Sequence, residues 1–212
     1  MTATHVEFTS QVDKKGYRII PAKQPPRQPG QKEADWILNS YSRDWAEARI
    51  VGLGGQLRPI RLIQYAMLFN EFANVKTPED LLKFVTTYGP LTPDGRAGRE
   101  GDDIPPLLDE ARSMKECFKR QRAKQLPVMP ELKAWLSTDK VKGTVSLKIS
   151  PVRLLDALWL QLGQALSEGA QWRQCEHCGD WFPVGGKSGR RLVARFCSDQ
   201  HRIDFNSLER SR

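Results

Sequence analysis

Cys175, Cys178, Cys197 and His201 are the residues of this chain whose types and spacing best suit chemistry. Cys175-x2-Cys178 sets two thiols across one tight turn, where both can reach a single ion at the ~2.3 Å of a zinc–sulfur bond. Gly179 lets the backbone double back, and Trp181 and Phe182 then begin the second arm of a short hairpin. Cys197 and His201 stand at i and i+4, so on a helix they share one face, one turn apart. Ser198 and Asp199 suit a helix start, which puts Cys197 at its N-terminal edge. A knuckle plus the first turn of a helix is the ligand arrangement of a treble-clef finger. The four residues therefore predict one structural zinc ion in a closed Cys3His tetrahedron. His177 lies between the first two ligands and is the alternative to His201 as the fourth.

Other chemistries fit less well. A thioredoxin-type CxxC needs a βαβ context and leaves His201 without a role. A catalytic zinc keeps one position open and works beside a carboxylate, whereas protein fills all four positions here. The H-x-E…P-C-x-x-C arrangement of zinc deaminases is absent. Gly186-Lys187-Ser188 imitates the end of a phosphate-binding loop, but that pattern needs glycine where Trp181 stands and a strand-to-helix setting. No nucleophile, base and oxyanion donor converge elsewhere in the sequence, so the reading is of a protein that is not an enzyme.

Elements must position these ligands. Val6–Thr9 and Tyr17–Ile20 are short β-rich runs around Asp13-Lys14-Lys15-Gly16, which predicts a hairpin. Pro21–Gly30 is proline-rich and reads as an extended linker, its PxxP spacing notwithstanding. Residues Ile37, Leu38, Trp45, Ala46 and Ala48 suggest a short amphipathic helix before the breaker VGLGG. Ile60–Phe72 is apolar on nearly every side and long enough for a buried helix. In TPEDLLKFVTTYG, Thr77 suits an N-cap, Pro78 the first helical position, Asp80 a capping box and Gly89 the stop. A longer helix is expected over about Pro106–Gln125. Leu107, Leu108, Ala111, Met114 and Phe118 form its buried side, Cys117 is a core thiol, and Arg112, Lys115, Lys119, Arg120, Arg122 and Lys124 form a solvated face. Thr144–Ile149 alternates as a strand, and PVRLLDALWLQLGQALSEG reads as the central core helix closed by Gly169. The expected fold class is mainly α with minor β. The domains are an N-terminal β-hairpin and Pro-rich linker over 1–35, a helical domain over 36–170 and a zinc-finger module over 171–212. The helical body is expected to fold without the finger.

Composition bounds the partners. The chain has 212 residues, 39% of them hydrophobic, and a formal net charge of +8. Its mean hydropathy of -0.54 fits a soluble protein. No stretch approaches the ~18 uncharged apolar residues of a membrane helix, and the start lacks the sections of a signal peptide. The expected location is cytoplasmic, where thiols stay reduced and a CxxC reads as a metal site. The excess positive charge makes a polyanion the first partner to consider.

The C-terminal CEHCGDWF…RRLVARFCSDQHR resembles small bacterial treble-clef zinc fingers with a C-x2-C…RR-aromatic-C-S signature, of which the CGNR-type fingers are the best-known relatives. The resemblance covers roughly the last 40 residues by its cysteine spacing. In place of the naming tetrapeptide the chain has His201-Arg202-Ile203, with the last ligand a histidine one residue earlier. The stretch FANVKTPEDLLKFVTTYGPL is similar to a bacterial family that brings no activity with it. The resemblance implies a finger that binds DNA in transcription regulators. Lys187, Arg190, Arg191 and Arg195 crowd the segment ahead of the terminal helix. Arg202, Asn206, Arg210 and Arg212 lie along that helix or at its end, where they could reach phosphates or base edges. Asp180, Asp199, Asp204 and Glu209 dilute that field. The alternative is a protein-interaction or assembly module in which the finger is a rigid knob and Ile203 and Trp181 are contact residues.

Overall fold

The computed structural model describes residues 8–20, 48–61, 67–92, 101–120, 130–139, 144–185 and 190–210. In chain order these form β1 (Thr9–Asp13), β2 (Tyr17–Ile20), β3 (Arg49–Gly52), β4 (Leu57–Arg61), α1 (Leu68–Ala73), α2 (Pro78–Tyr88), β5 (Asp102–Asp103) and α3 (Ile104–Arg120). They continue with β6 (Leu132–Asp139), β7 (Thr144–Pro151), α4 (Leu154–Ser167), β8 (Gln171–Gln174), β9 (Trp181–Val184) and α5 (Asp199–Arg210). The fold is mixed α/β, with five helices and several small sheets among the described residues, which corrects the expectation of a mainly α chain. No helix among the described residues is long and apolar enough to cross a membrane.

The correction has local causes. The expected hairpin between the first two strands does not form. β1 pairs antiparallel with β4 and β2 with β3, so two long segments run side by side and the turn only offsets them. Asp13 sets that offset: its buried carboxylate accepts from the backbone N–H of Lys15 at 2.8 Å and of Gly55 at 2.9 Å. The apolar run at Ile60–Phe72 divides, its start lying in β4 and its end in α1. A strand buried on one face and a buried helix share composition, and periodicity alone does not separate them. The region of the expected helix around Ile37 to Ala46, the proline-rich linker and the end of the long helix beyond Arg120 lie outside the described residues.

Helix α2 forms as its sequence predicts. Thr77 Oγ1 accepts from Asp80 N, and Asp80 Oδ2 accepts from Thr77 N, both at 3.2 Å. Gly89 ends it at φ 96°, and a Cβ there would lie 2.3 Å from Ser10 Oγ, so the position excludes a side chain on two grounds. In α3, Leu107, Ala111, Met114 and Phe118 are buried at the helical period, and Cys117 is buried with them. On its outer face Arg112 pairs with Asp109 and Lys119 with Glu116, as solvated pairs on one helix do. Helix α4 is the axis of the core. Leu154, Leu158, Trp159 and Leu162 are buried among residues of α1, α2 and α3, and Trp159 Nε1 donates to Glu110 at 2.9 Å.

The core does not stop at Gly169. Trp172, on β8, is fully buried in the same cluster. Its ring stacks on Phe118 with centroids 4.9 Å apart and meets Phe69 edge-on at 6.0 Å. A chain ending at Gly169 would leave Phe69 and Phe118 without this neighbour. It should lose cooperative unfolding or aggregate, contrary to what helix caps and apolar stripes alone suggest. Trp172→Ala in the full chain should cost about 3–5 kcal/mol, measurable by urea unfolding followed by circular dichroism.

Candidate metal centre

The C-terminal segment builds its site on a two-faced hairpin. β8 and β9 pair antiparallel from Gln171↔Val184 to Gln174↔Trp181, and residues 175–180 form the connecting knuckle. Cys175 N donates to Asp180 O and Gly179 N donates to Cys175 O, each at 2.9 Å, with Gly179 at φ 74°. That bond pattern turns the chain through the two thiols in the tight loop the CxxC spacing requires. Along β9, alternate residues serve different cores. Phe182 and Val184 are buried with Cys175 in a small second cluster that Cys178, Ala194, Phe196 and Cys197 complete. Trp181 packs instead against the main core.

The second ligand pair comes from the start of α5. Ser198 Oγ accepts from His201 N at 3.1 Å, which caps the helix and fixes the turn carrying the imidazole. Phe205 packs on Phe196 with centroids 5.3 Å apart and ties the helix to the irregular segment before it. The thiol and imidazole atoms of Cys175, Cys178, Cys197 and His201 then lie within 4.8 Å of one another. Cys178 Sγ is 3.8 Å from Cys197 Sγ, and Cys175 Sγ is 3.8 Å from His201 Nδ1. Two sulfurs bound tetrahedrally at ~2.3 Å stand about 3.8 Å apart. His201 Nδ1 lies closer to Cys197 Sγ, at 2.9 Å. These four residues can hold one metal ion. The His177 ring lies tilted against the His201 ring, with centroids 4.9 Å apart, but His177 is not among the four.

The electrostatics suit a cation. Burial raises the Cys175 thiol, but the backbone N–H groups of Cys178, Cys197 and His177, with His201, outweigh it and bring the pKa down to about 6. Burial also raises Cys178. It pushes Cys197 up to about 12, reinforced by the sulfurs of Cys175 and Cys178. One negative charge among three crowded sulfurs therefore opposes the next. A dication among the four donor atoms reverses that cost, since each further thiolate then meets positive charge.

The remaining expected residues are distributed around this centre. The Arg190 guanidinium lies over the Phe182 ring at 5.5 Å from its centroid, and Arg191 is exposed beside it. Arg195 Nε donates to Glu176 at 2.7 Å in a two-point contact, and its guanidinium lies over Phe196 and Phe205. Arg202 pairs with Asp199 at 3.2 Å, while Asn206 and Arg210 are exposed on α5. Lys187 and Arg212 lie outside the described residues. Sequence reasoning missed Arg173, whose Nη1 donates to Leu192 O at 3.1 Å and brings a further guanidinium to the Arg190–Arg195 segment. Its only signal was that it stands opposite Phe182 in the ladder, which needs the register to be known. Also missed was the seam to the body. Asn74 Oδ1 accepts from Trp181 N, and the Asn74 and Asn70 amides donate to Trp181 O, at 2.9, 2.9 and 3.1 Å. Lys76 pairs with Asp180 at 2.6 Å beside them.

Comparison of the chain with protein-family models, with curated proteins and with solved structures finds no match.

Purified protein should carry one metal ion per chain by elemental analysis. Cys178→Ala and His201→Ala should lose it, while His177→Ala should keep it. Removal by a chelator should change tryptophan fluorescence, because Trp181 adjoins the ligand knuckle. Full metal retention in Cys178→Ala, or loss in His177→Ala alone, would reject this ligand set.

Proposed function

We propose that this chain is a zinc-binding, DNA-binding protein of the transcription-regulator kind, working in the cytoplasm, with zinc in a structural role. Three soft thiolates and one imidazole, with no ligand position left for water, favour zinc over harder ions and a clasp over a catalyst. The likeness of the C-terminal motif to CGNR-type treble-clef fingers points the same way.

One observation carries the DNA reading. Arg173, Arg190, Arg191 and Arg195 form an exposed rim along the side of the module, linked through Phe182 and Leu192, with Glu176 as the carboxylate paired into it. Helix α5 offers no comparable field, since it also carries Asp199, Asp204 and Glu209, and Arg202 is paired with Asp199. The contact is therefore to the phosphate backbone through the rim, rather than to base edges through a helix in the major groove. A second reading has its own support. None of the α5 residues is buried, and Ile203 is 52% exposed, as expected of a protein-docking helix.

Binding of a labelled duplex, followed by anisotropy at several salt concentrations, tests this. Contacts from the rim to about three phosphates predict a log–log salt slope of about -3. Arg190→Ala with Arg191→Ala should flatten the slope by about 1 to 2 and leave metal content unchanged. Arg202→Ala should change it less, because that side chain is already paired. No binding at low salt by metal-loaded protein would sink the DNA reading and promote the protein-docking one.

A further inference from the structure

Arg191, Leu192, Val193 and Ala194 form a tight turn, closed by Ala194 N donating to Arg191 O at 3.0 Å. Its corner residues are Leu192 and Val193. Turn corners ordinarily take Gly, Asn, Asp, Ser or Pro, each for a backbone reason that leucine and valine do not supply. Burial does not account for them either. Leu192 is 55% exposed and Val193 72%, the most exposed large aliphatic side chain among the described residues. Leu192 has a local task, since a Cβ at Gly185 would lie 2.6 Å from its Cδ2, so its side chain closes over that glycine. Val193, the more exposed of the two, is the point of the turn.

The turn is held from below. Gly185 N donates to Arg190 O at 2.7 Å and Glu176 N to Arg195 O at 3.1 Å, one bond on each side of the corner. Arg173 Nη1 donates to Leu192 O at 3.1 Å. Ala194 and Phe196 pack on Cys175, Phe182 and Val184, so the ligand cluster itself is the footing of the turn. A tip held this way loses little freedom when it meets a partner. The arginines of the rim surround it. Arg190, Arg191 and Arg195 stand within two residues of the corner, and Arg173 is bonded to its backbone. Charge complementarity thus selects a polyanion, and the corner sets an apolar point inside that field.

We propose that Leu192 and Val193 are a wedge that enters the minor groove of duplex DNA and parts one base step, while the flanking arginines hold phosphates on either side. This rests on the reading of the arginine rim as a phosphate-contacting face, and adds to it a deformation of the DNA. Proteins that kink a duplex from the minor groove insert apolar side chains between base steps and surround them with cationic ones. Guanidiniums suit that groove, whose negative potential deepens where it narrows. The groove is about 6 Å across, too narrow for a helix of about 10 Å but open to a side-chain wedge. An anionic lipid surface offers the same charge. The two side chains, however, carry fewer carbons than the single acyl chain that holds a protein there only marginally. Such a wedge responds to how easily a step opens rather than to base identity, so pyrimidine–purine steps and mispaired sites are its preferred positions.

The test uses the metal-loaded full chain and a short duplex with 2-aminopurine in place of the adenine of a central TA step. Stacking quenches that base, so its fluorescence reads the opening of the step. Saturating protein should raise it at least about twofold, and a duplex with one central mispair should bind about tenfold more tightly than its paired counterpart. Serine suits a turn, so Val193→Ser should keep the fold, the metal content and the salt slope while abolishing both effects. Val193→Ile should retain them, since a wedge needs apolar bulk rather than valine itself. Circular dichroism checks the fold of each variant. Duplex binding with the expected salt slope but with no fluorescence rise and no mispair preference overturns the wedge and leaves the phosphate contacts of the rim standing. So does a rise that persists when Leu192→Ser and Val193→Ser are combined. Absence of duplex binding at low salt overturns both. Binding to vesicles of phosphatidylserine and phosphatidylcholine that Val193→Ser weakens, with duplex binding untouched, gives the tip to a lipid surface and overturns the wedge.

Discussion

Everything at the C-terminal end depends on one short hairpin having to be apolar on both faces. About 40 residues with few large apolar groups cannot bury enough surface to hold a fold of their own. β8 and β9 answer this by sending Trp172 and Trp181 into the body and Phe182 and Val184 toward the ligands. The metal centre then closes a cluster that would otherwise be too small, and the body closes the opposite side. Neither core is complete without the hairpin between them. This is why the helical body and the ligand module are one piece of physics although their sequences look separable.

Much of this was legible before any coordinates. The ligand set, the knuckle and the helix carrying His201 follow from spacing, because coordination fixes distances that only a few chain paths satisfy. Helix α2 was legible to the residue, since its caps are specific polar groups at fixed offsets. The strands were not. Arg49–Gly52 and Leu57–Arg61 are short, and their partners lie far off in sequence, so no local signal announces them. The strand facing Thr144–Pro151 was missed for a related reason: this partner strand, Leu132–Asp139, interrupts its apolar residues with Lys133 and Asp139 and shows no clean alternation. The burial of Trp172 was also hidden. A single tryptophan between polar neighbours carries no period, and only the ring of Phe118 beneath it explains it.

The arginines show how little a count of charges says about a surface. Along α5 each basic residue has an acidic one within a turn, and the pair of Arg202 with Asp199 uses up its charge locally. On the flank of β8 and β9 the Arg190 guanidinium lies over the Phe182 ring and Arg173 reaches the Leu192 carbonyl, contacts that orient each group. The same residue type is thus a solvated ornament in one place and a directed field in the other. The backbone register decides which.

Asn74 deserves a different description from that of a hydrogen-bonding side chain. Its amide is a planar group with one donor and one acceptor aimed at a single residue, and in that respect it copies a peptide unit of a neighbouring strand. Two bonds from one plane fix the rotation of β9 about its own axis as well as its distance from α1. That rotation is what sends Trp181 one way and Phe182 the other. A slip of one residue would exchange the two rings and put a phenyl group where the indole packs and an indole among the ligands. Aspartate, though nearly the same shape, could not hold the register, since its second oxygen would face Trp181 O with no proton between them. The position acts as an index mark, telling the strand which way round it belongs.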